Sequence, residues 1–385
     1  MTFAEEAASH QPDRHAFLKG WEPRVTLGDT DGEAISAPTT DEQDEDSLII
    51  GWRLDPDEWR IIDGTLLVNR WQMKKSGQDE GLWLYQYKAR LARRRWPKVD
   101  LDDLLAAAAK VKPAKPLPRG PRSMVVCLSD WQLGKADGDG VAGTIERIRR
   151  QAAAIRERIK REKPDRLVVV GMGDLVESCD GNYPSQRFTV ELNRRQQCRL
   201  ARSLIMECLT AWVPLCEQVT VSAVPGNHGE NRQGGKAFTT IGDNDDVACF
   251  EAVKEACDQN PAAFGHVEWV IPEDDHGVTL TLHGWECGFT HGHIPKAGAT
   301  PQQKQEKWWA DQAFGKTEFG EVDYLFTAHY HHYSVVDLGP RVHFQCPAND
   351  GGSDWWVRYK GRRSKPGTLT VMVGEDGWDD AKVLT

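Results

Sequence analysis

The chain is 385 residues long, carries a formal net charge of −10 and is 39% apolar, enough to enclose a sizeable core in two or three domains. That acidity excludes a protein that coats nucleic acid by bulk attraction, while a local basic groove stays open. There is no run of about 18 apolar residues, and Met1-Thr-Phe-Ala-Glu-Glu6 has no basic segment leading into an apolar one, so a cytoplasmic protein without membrane attachment is expected. Nine cysteines with no Cys-x-x-Cys spacing read as reduced thiols, mostly core residues.

Residues 1–47 mix Gly, Pro, Ser, Thr and acids, including Asp41-Glu-Gln-Asp-Glu-Asp46, and read as a flexible acidic arm. From Leu48 short β-type runs follow: Leu48-Ile-Ile-Gly-Trp52, Trp59-Arg-Ile-Ile62, Leu66 to Trp71 and Leu82 to Lys88, with Asp63-Gly64 as a turn. Together with an Ala-rich helix over Leu101 to Lys112, they predict a small β-rich module spanning 48–112. The prolines of 113–122 forbid a helix and read as a linker, leaving 123–385 as the main domain.

In that domain Met124 to Leu128 predicts a buried strand. A helix capped by Thr144 follows, with Ile145, Ile148, Ala152, Ile155 and Ile159 on one face, and it ends before Pro164. Further helices are expected over Val190 to Trp212 and Asp245 to Asp258, and a strand over Val267 to Ile271. From Val278 to Val373 short β-type runs dominate, which predicts the antiparallel part of a two-sheet sandwich. The β-loop-α-β order predicts an open α/β sheet with its site at the strand carboxyl ends.

Five polar clusters each follow an apolar run. They are Ser129-Asp130-Trp-Gln132-Leu-Gly-Lys135, Gly173-Asp174-Leu-Val-Glu177, Gly226-Asn227-His228-Gly-Glu230, Thr290-His291-Gly-His293 and Ala328-His329-Tyr-His331. Carboxylate, amide and imidazole groups delivered at strand ends form a ligand set for two divalent ions. Asp174, beside Gly173, suits the shared carboxylate between them. Asp130 and His331 would serve one ion, and Asn227, His291 and His329 the other. His293 and His332 are alternative ligands if the register slips.

In this order the clusters resemble the motifs of the calcineurin-like metallophosphoesterase superfamily over roughly residues 123–350, and the first is most similar to the opening motif of SbcD-type DNA repair nucleases. The resemblance implies an α/β fold, a metallophosphoesterase β-sandwich flanked by helices (α/β-β-α). It also implies two divalent metal ions, Mn preferred and Mg possible, and His228 as the residue assisting the leaving group or the transition-state charge. Gln132 stands where the family places a histidine, so it would offer that ion only an amide oxygen. Glu230 is displaced by Gly229 from the family's acid after Gly-Asn-His, and is left as the candidate partner of His228. The run Leu175-Val-Glu-Ser-Cys179 lacks the Asp-Arg-Gly of the Ser/Thr protein phosphatase branch.

The implied activity is a metal-dependent phosphodiesterase, foremost a DNA exo- or endonuclease using a dinuclear metal-activated hydroxide. A hydrolase of small or cyclic nucleotides and a non-catalytic scaffold on the same fold are the alternatives. Two basic stretches rich in aromatics would hold DNA or other nucleic acid. One carries Lys88, Arg90, Arg93, Arg94 and Arg95, and the other Arg358, Lys360, Arg362 and Arg363. No Gly-x-x-x-x-Gly-Lys-Ser/Thr loop is present, so nucleotide energy would come from an ATPase partner subunit, as SbcD-type nucleases use. Self-association into a homo-oligomer is open.

Overall fold

Residues 23–28, 30–56, 58–73, 82–93, 101–113, 120–353, 357–358, 361 and 364–385 are described by a computed structural model, and the chain falls into two units, Met1–Pro97 and Lys98–Thr385. In the first, β1 (Arg24–Leu27), β2 (Asp31–Ile35), α1 (Glu45–Gly51), β3 (Trp59–Ile61), β4 (Leu67–Met73) and β5 (Leu82–Arg93) follow one another. The long β5 pairs antiparallel with β2, β3 and β4, and β1 closes on β2. Ala34, Leu48, Ile49, Trp59, Ile61 and Leu91 form its core.

Two expectations change here. Residues 24–27 and 31–35 belong to the sheet rather than to a flexible arm, because Ala34 is fully buried against β5; residues 1–22 and 29 lie outside the described residues. The run after Leu48 is helical rather than extended. Asp44 caps it by accepting from the Ser47 N–H at 2.8 Å, with Glu45 and Asp46 in the first turn where the helix dipole favours acids.

The second unit opens with α2 (Leu101–Ala109), which buries Leu104 and Ala108 and whose Ala108 carbonyl accepts from Asn260 Nδ2 at 2.8 Å. The helix therefore belongs to the second unit, and the division falls before it rather than in 113–122, of which 114–119 lie outside the described residues.

Next come β6 (Gly120–Leu128), α3 (Gly140–Glu162), β7 (Pro164–Gly171), α4 (Arg194–Trp212) and β8 (Gln218–Ala223). A small hairpin of β9 (Arg232–Gln233) and β10 (Lys236–Ala237) precedes α5 (Asp245–Asp258), α6 (Pro261–Phe264) and β11 (Val267–Val270). The chain continues with β12 (Gly277–Leu282), β13 (Trp285–Thr290), α7 (Pro301–Gly315), β14 (Tyr324–Thr327), β15 (Ser334–Asp337), β16 (Val342–Gln345), β17 (Thr368–Gly374) and β18 (Gly377–Leu384).

One six-stranded sheet has the order β11-β8-β7-β6-β17-β18, its first four strands parallel. The other, β12-β13-β14-β16-β15, is mixed rather than antiparallel: β14 runs parallel to both β13 and β16. Val125, Val168, Val170, Phe289, Phe326, Phe344 and Val371 share one core, so the two sheets face each other. Strand β7 is also buried on its helix side through Leu167 and Val169, which is why its run is unbroken and does not alternate. Outside the second sheet, Trp309 of α7 packs with Phe319, Val322 and Leu325. The result is the expected α/β-β-α sandwich.

Helix α3 starts one turn before Thr144, which is buried inside it. Arg147 holds that extra turn, donating to Asp139 Oδ2 at 2.7 Å and to the Asn349 carbonyl at 2.9 Å. Helix α4 begins at Arg194 rather than Val190, capped by Asn193 in a reciprocal box with Gln196. All nine cysteines are free, and seven are buried.

Candidate metal centre

Asp130 follows β6, Asp174 follows β7, Asn227 and His228 follow β8, His291 follows β13 and His329 follows β14. Both sheets thus present their carboxyl ends to one edge. At that edge the backbone is strained: Asp130, Gln132, Asp174, His329 and His331 have φ of 47°, 42°, 54°, 70° and 56°, a left-handed conformation costing a non-glycine residue about 1–3 kcal/mol. Close approach is enforced too, because a Cβ on Gly173 would lie 2.7 Å from the Gly226 backbone and 2.8 Å from His291 Nδ1.

Asp246, at the start of α5, ties the Asp174 and Asn227 loops together. Its Oδ2 accepts from the Asp174 N–H at 2.8 Å and the Gly226 N–H at 3.2 Å, and its Oδ1 from the Leu175 N–H at 2.8 Å and the Val176 N–H at 3.3 Å. Burial, with Asp174 beside it, pushes this carboxyl up to about 7, and the backbone donors around it oppose that shift. In sequence Asp246 looks like an ordinary first-turn acid, and nothing local marks it out.

The donor atoms converge. His291 Nδ1–H donates to the Met172 carbonyl at 2.7 Å, which fixes the tautomer and leaves the Nε2 lone pair free. That lone pair lies 3.0 Å from Asp174 Oδ2 and 3.2 Å from Asn227 Oδ1. The Asn227 amide is oriented by Nδ2 donating to Asn182 Oδ1 at 3.4 Å. Asp174, His291 and His329 place one ligand atom each within 4.8 Å of one another. Asp174 Oδ2 is buried without a hydrogen bond.

Lone pairs aimed at one another in a buried space require positive charge between them. A proton serves only in part. Burial pushes His291 down, yet Asp174 outweighs it and raises the imidazole to about 9. Burial and the neighbouring His291 together push His329 down to about 2. A single divalent cation would satisfy all four groups, since ligands about 2.1 Å from one ion at near-right angles lie about 3 Å apart. Asp174, Asn227, His291 and His329 fit such an ion.

The other expected set differs. Asp130 Oδ1 is buried without a hydrogen bond and lies 3.3 Å from His331 Nε2. The third expected donor, Gln132 Oε1, instead accepts from Lys135 Nζ at 2.8 Å. Lys135 is buried and pairs with Asp350, whose other oxygen lies 3.7 Å from His331 Nδ1. Gln132 is thus turned to a neighbouring ammonium, and among the described residues no second group of three acidic, imidazole or thiol ligands gathers within ligand distance. Lys135 closes the first motif, but its partner Asp350 lies 215 residues away, which local spacing does not show.

His228 projects into the same edge. Its backbone N–H donates to Asp174 Oδ1 at 2.8 Å, and its Nδ1–H to the Glu177 carbonyl at 2.8 Å. Burial lowers the imidazole, but Asp174 and Glu177 outweigh it and raise it to about 9. The carboxylate beside it is that of Glu177, 3.4 Å from Nδ1, oriented by the Tyr183 hydroxyl at 2.6 Å. Glu230, the expected partner, instead meets His293 at 3.4 Å and Arg232 at 2.7 Å. His293 therefore faces Glu230, and His291 holds the position at Asp174.

Of the basic residues, Lys88, Arg90 and Arg93 are exposed on β5, and Arg93 pairs with Glu58 at 3.2 Å. Arg358 is exposed, whereas Arg94, Arg95, Lys360, Arg362 and Arg363 lie outside the described residues.

No family model and no curated protein matches this chain. Solved structures are similar at low identity. An archaeal phosphodiesterase is 13% identical over 68% of this chain and 99% of its own, with a TM-score of 0.32. Vps29 from Entamoeba histolytica complexed with zinc is 10% identical over 64% and 84%, at 0.31. A predicted phosphoesterase from Streptococcus pneumoniae is 11% identical over 68% and 98%, at 0.27. Likeness at such scores assigns neither a family nor a reaction to this chain.

Proposed function

We propose that this chain is a metal-dependent phosphodiesterase of the metallophosphoesterase type, acting on nucleic acid. The observation that carries the reading is the convergence of Asp174 Oδ2, Asn227 Oδ1 and His291 Nε2 with His329 around one point. Asp174, Asn227, His291 and His329 would hold a divalent ion, which when bound polarises a phosphoryl oxygen and offsets its charge.

Around that point the chain's own groups have distinct roles. Glu177 and Tyr183 hold the His228 ring so that Nε2, 3.9 Å from Asp174 Oδ2, faces the site and can give a proton or hydrogen bond to a departing oxygen. Asp246 keeps the Asp174 and Asn227 loops in register, so the ligands are set before substrate arrives. The basic stretches of the sequence that include Lys88, Arg90 and Arg358 are the ground for a polyanionic substrate, with DNA as the first candidate and Mn as the first metal to try.

The test is hydrolysis of bis-p-nitrophenyl phosphate, end-labelled single- and double-stranded DNA and cyclic nucleotides, with Mn or Mg. Activity on DNA that is lost in Asp174→Asn supports the proposal. Activity on cyclic nucleotides alone moves the substrate to small phosphodiesters, and full activity of Asp174→Asn refutes the site.

A further inference from the structure

The Asp130, Gln132 and His331 side of the centre already contains a cation that belongs to the chain. Lys135 is 9% exposed, and its ammonium donates to Gln132 Oε1 at 2.8 Å and to Asp350. Asp350, 3% exposed, turns its other oxygen towards His331 Nδ1 at 3.7 Å, and His331 Nε2 lies 3.3 Å from Asp130 Oδ1. Asp130, His331, Asp350, Lys135 and Gln132 therefore form one chain of alternating contacts, buried except at His331, which is partly exposed. Besides Asp130 and His331, an ion on this side would find the Gln132 carbonyl, and that oxygen already accepts from Lys135. It would also sit close to a buried ammonium, and like charges in a poorly solvated site repel strongly.

We propose that Lys135 takes the place of a second metal ion. The centre binds one divalent ion, at Asp174, Asn227, His291 and His329, and the ammonium provides the fixed positive charge on the Asp130 side. Glutamine at 132 fits this arrangement because its carbonyl accepts from the ammonium and, unlike an imidazole, takes on no charge. Asp350 fits it as the counter-charge that keeps a lysine stable in a buried position. The inference rests on the metal reading proposed above, and the experiment separates the two.

The full-length chain is stripped with a chelator and titrated with Mn2+. Bound ion is counted by equilibrium dialysis with elemental analysis, and electron paramagnetic resonance distinguishes an isolated ion from an exchange-coupled pair. Wild type should bind about one ion per chain with an uncoupled spectrum, and His291→Ala should lose that ion. The double variant Gln132→His with Lys135→Met should take up about two ions per chain and show coupling. Two coupled ions in the wild type would overturn the Lys135 proposal and leave the metal reading standing. So would a folded double variant still restricted to one ion. A single ion that survives His291→Ala but is lost in His331→Ala would overturn both. No bound ion in the wild type would overturn both. If circular dichroism shows the double variant unfolded, the wild type and the two alanine variants decide the matter.

Discussion

His228 Nδ1 lies 2.8 Å from the carbonyl oxygen of Glu177 and 3.4 Å from its carboxylate, so the acid that serves this imidazole comes from the loop after β7 rather than from its own loop. Glu177→Gln should therefore reduce kcat on bis-p-nitrophenyl phosphate by about 10- to 100-fold with KM little changed. Glu230→Gln, whose partners are His293 and Arg232, should cost less than about 3-fold. Steady-state kinetics of the two variants checks the assignment, and a larger loss in Glu230→Gln would reverse it.

Asp246→Ala should destabilise the second unit by about 3 kcal/mol, because four buried backbone N–H groups lose their acceptor. Urea denaturation measures the change. The same variant should bind Mn2+ at least about 10-fold more weakly, since it frees the Asp174 and Asn227 loops together. Unchanged stability and unchanged affinity would remove Asp246 from its positioning role.

Buried His343 gives a pH dependence away from the metal ligands. Burial, with a smaller contribution from His332, pushes its imidazole down to about 4, and its Nε2 lies 2.7 Å from Thr327 Oγ1. The unfolded chain takes up this proton near pH 6.5 and the folded chain only near pH 4, so unfolding is favoured as pH falls through that window. The stability at stake is complete above the upper value and lost at the lower, in all about 3 kcal/mol. Denaturation midpoints of wild type and His343→Gln across this range should diverge in slope, with the variant flatter. Parallel slopes would contradict the argument.

A chelator should lower the thermal midpoint of the wild type, and Mn2+ should restore it, because an ion bound only to the folded state adds stability as its concentration rises above its dissociation constant. In His291→Ala the midpoint should not respond to Mn2+. Scanning calorimetry checks this, and an equal response in the variant would place the ion elsewhere.

The sequence exposes the strand-end clusters because each follows an apolar run, and buried parallel strands require such runs. Asp130, Asp174, Asn227, His291 and His329 could therefore be nominated from spacing alone. What tunes them could not. Asp246 is 72 residues from Asp174 and Asp350 is 215 from Lys135, and pairings at that distance depend on the tertiary fold. Leu48-Ile-Ile50 reads as a strand because the Asp44 cap lies within an acidic run. The Gln- and Lys-rich sequence of helix α7 lacks a clear apolar face, so only the Thr300 to Gln303 box and Pro301 mark it, at its start.

The most direct test is a crystal of the full-length chain soaked in Mn2+ and measured for anomalous scattering. A peak within bonding distance of Asp174, Asn227, His291 and His329 is the predicted result. A peak elsewhere, or none at this position while Mn2+-dependent hydrolysis persists in the same preparation, would contradict the centre.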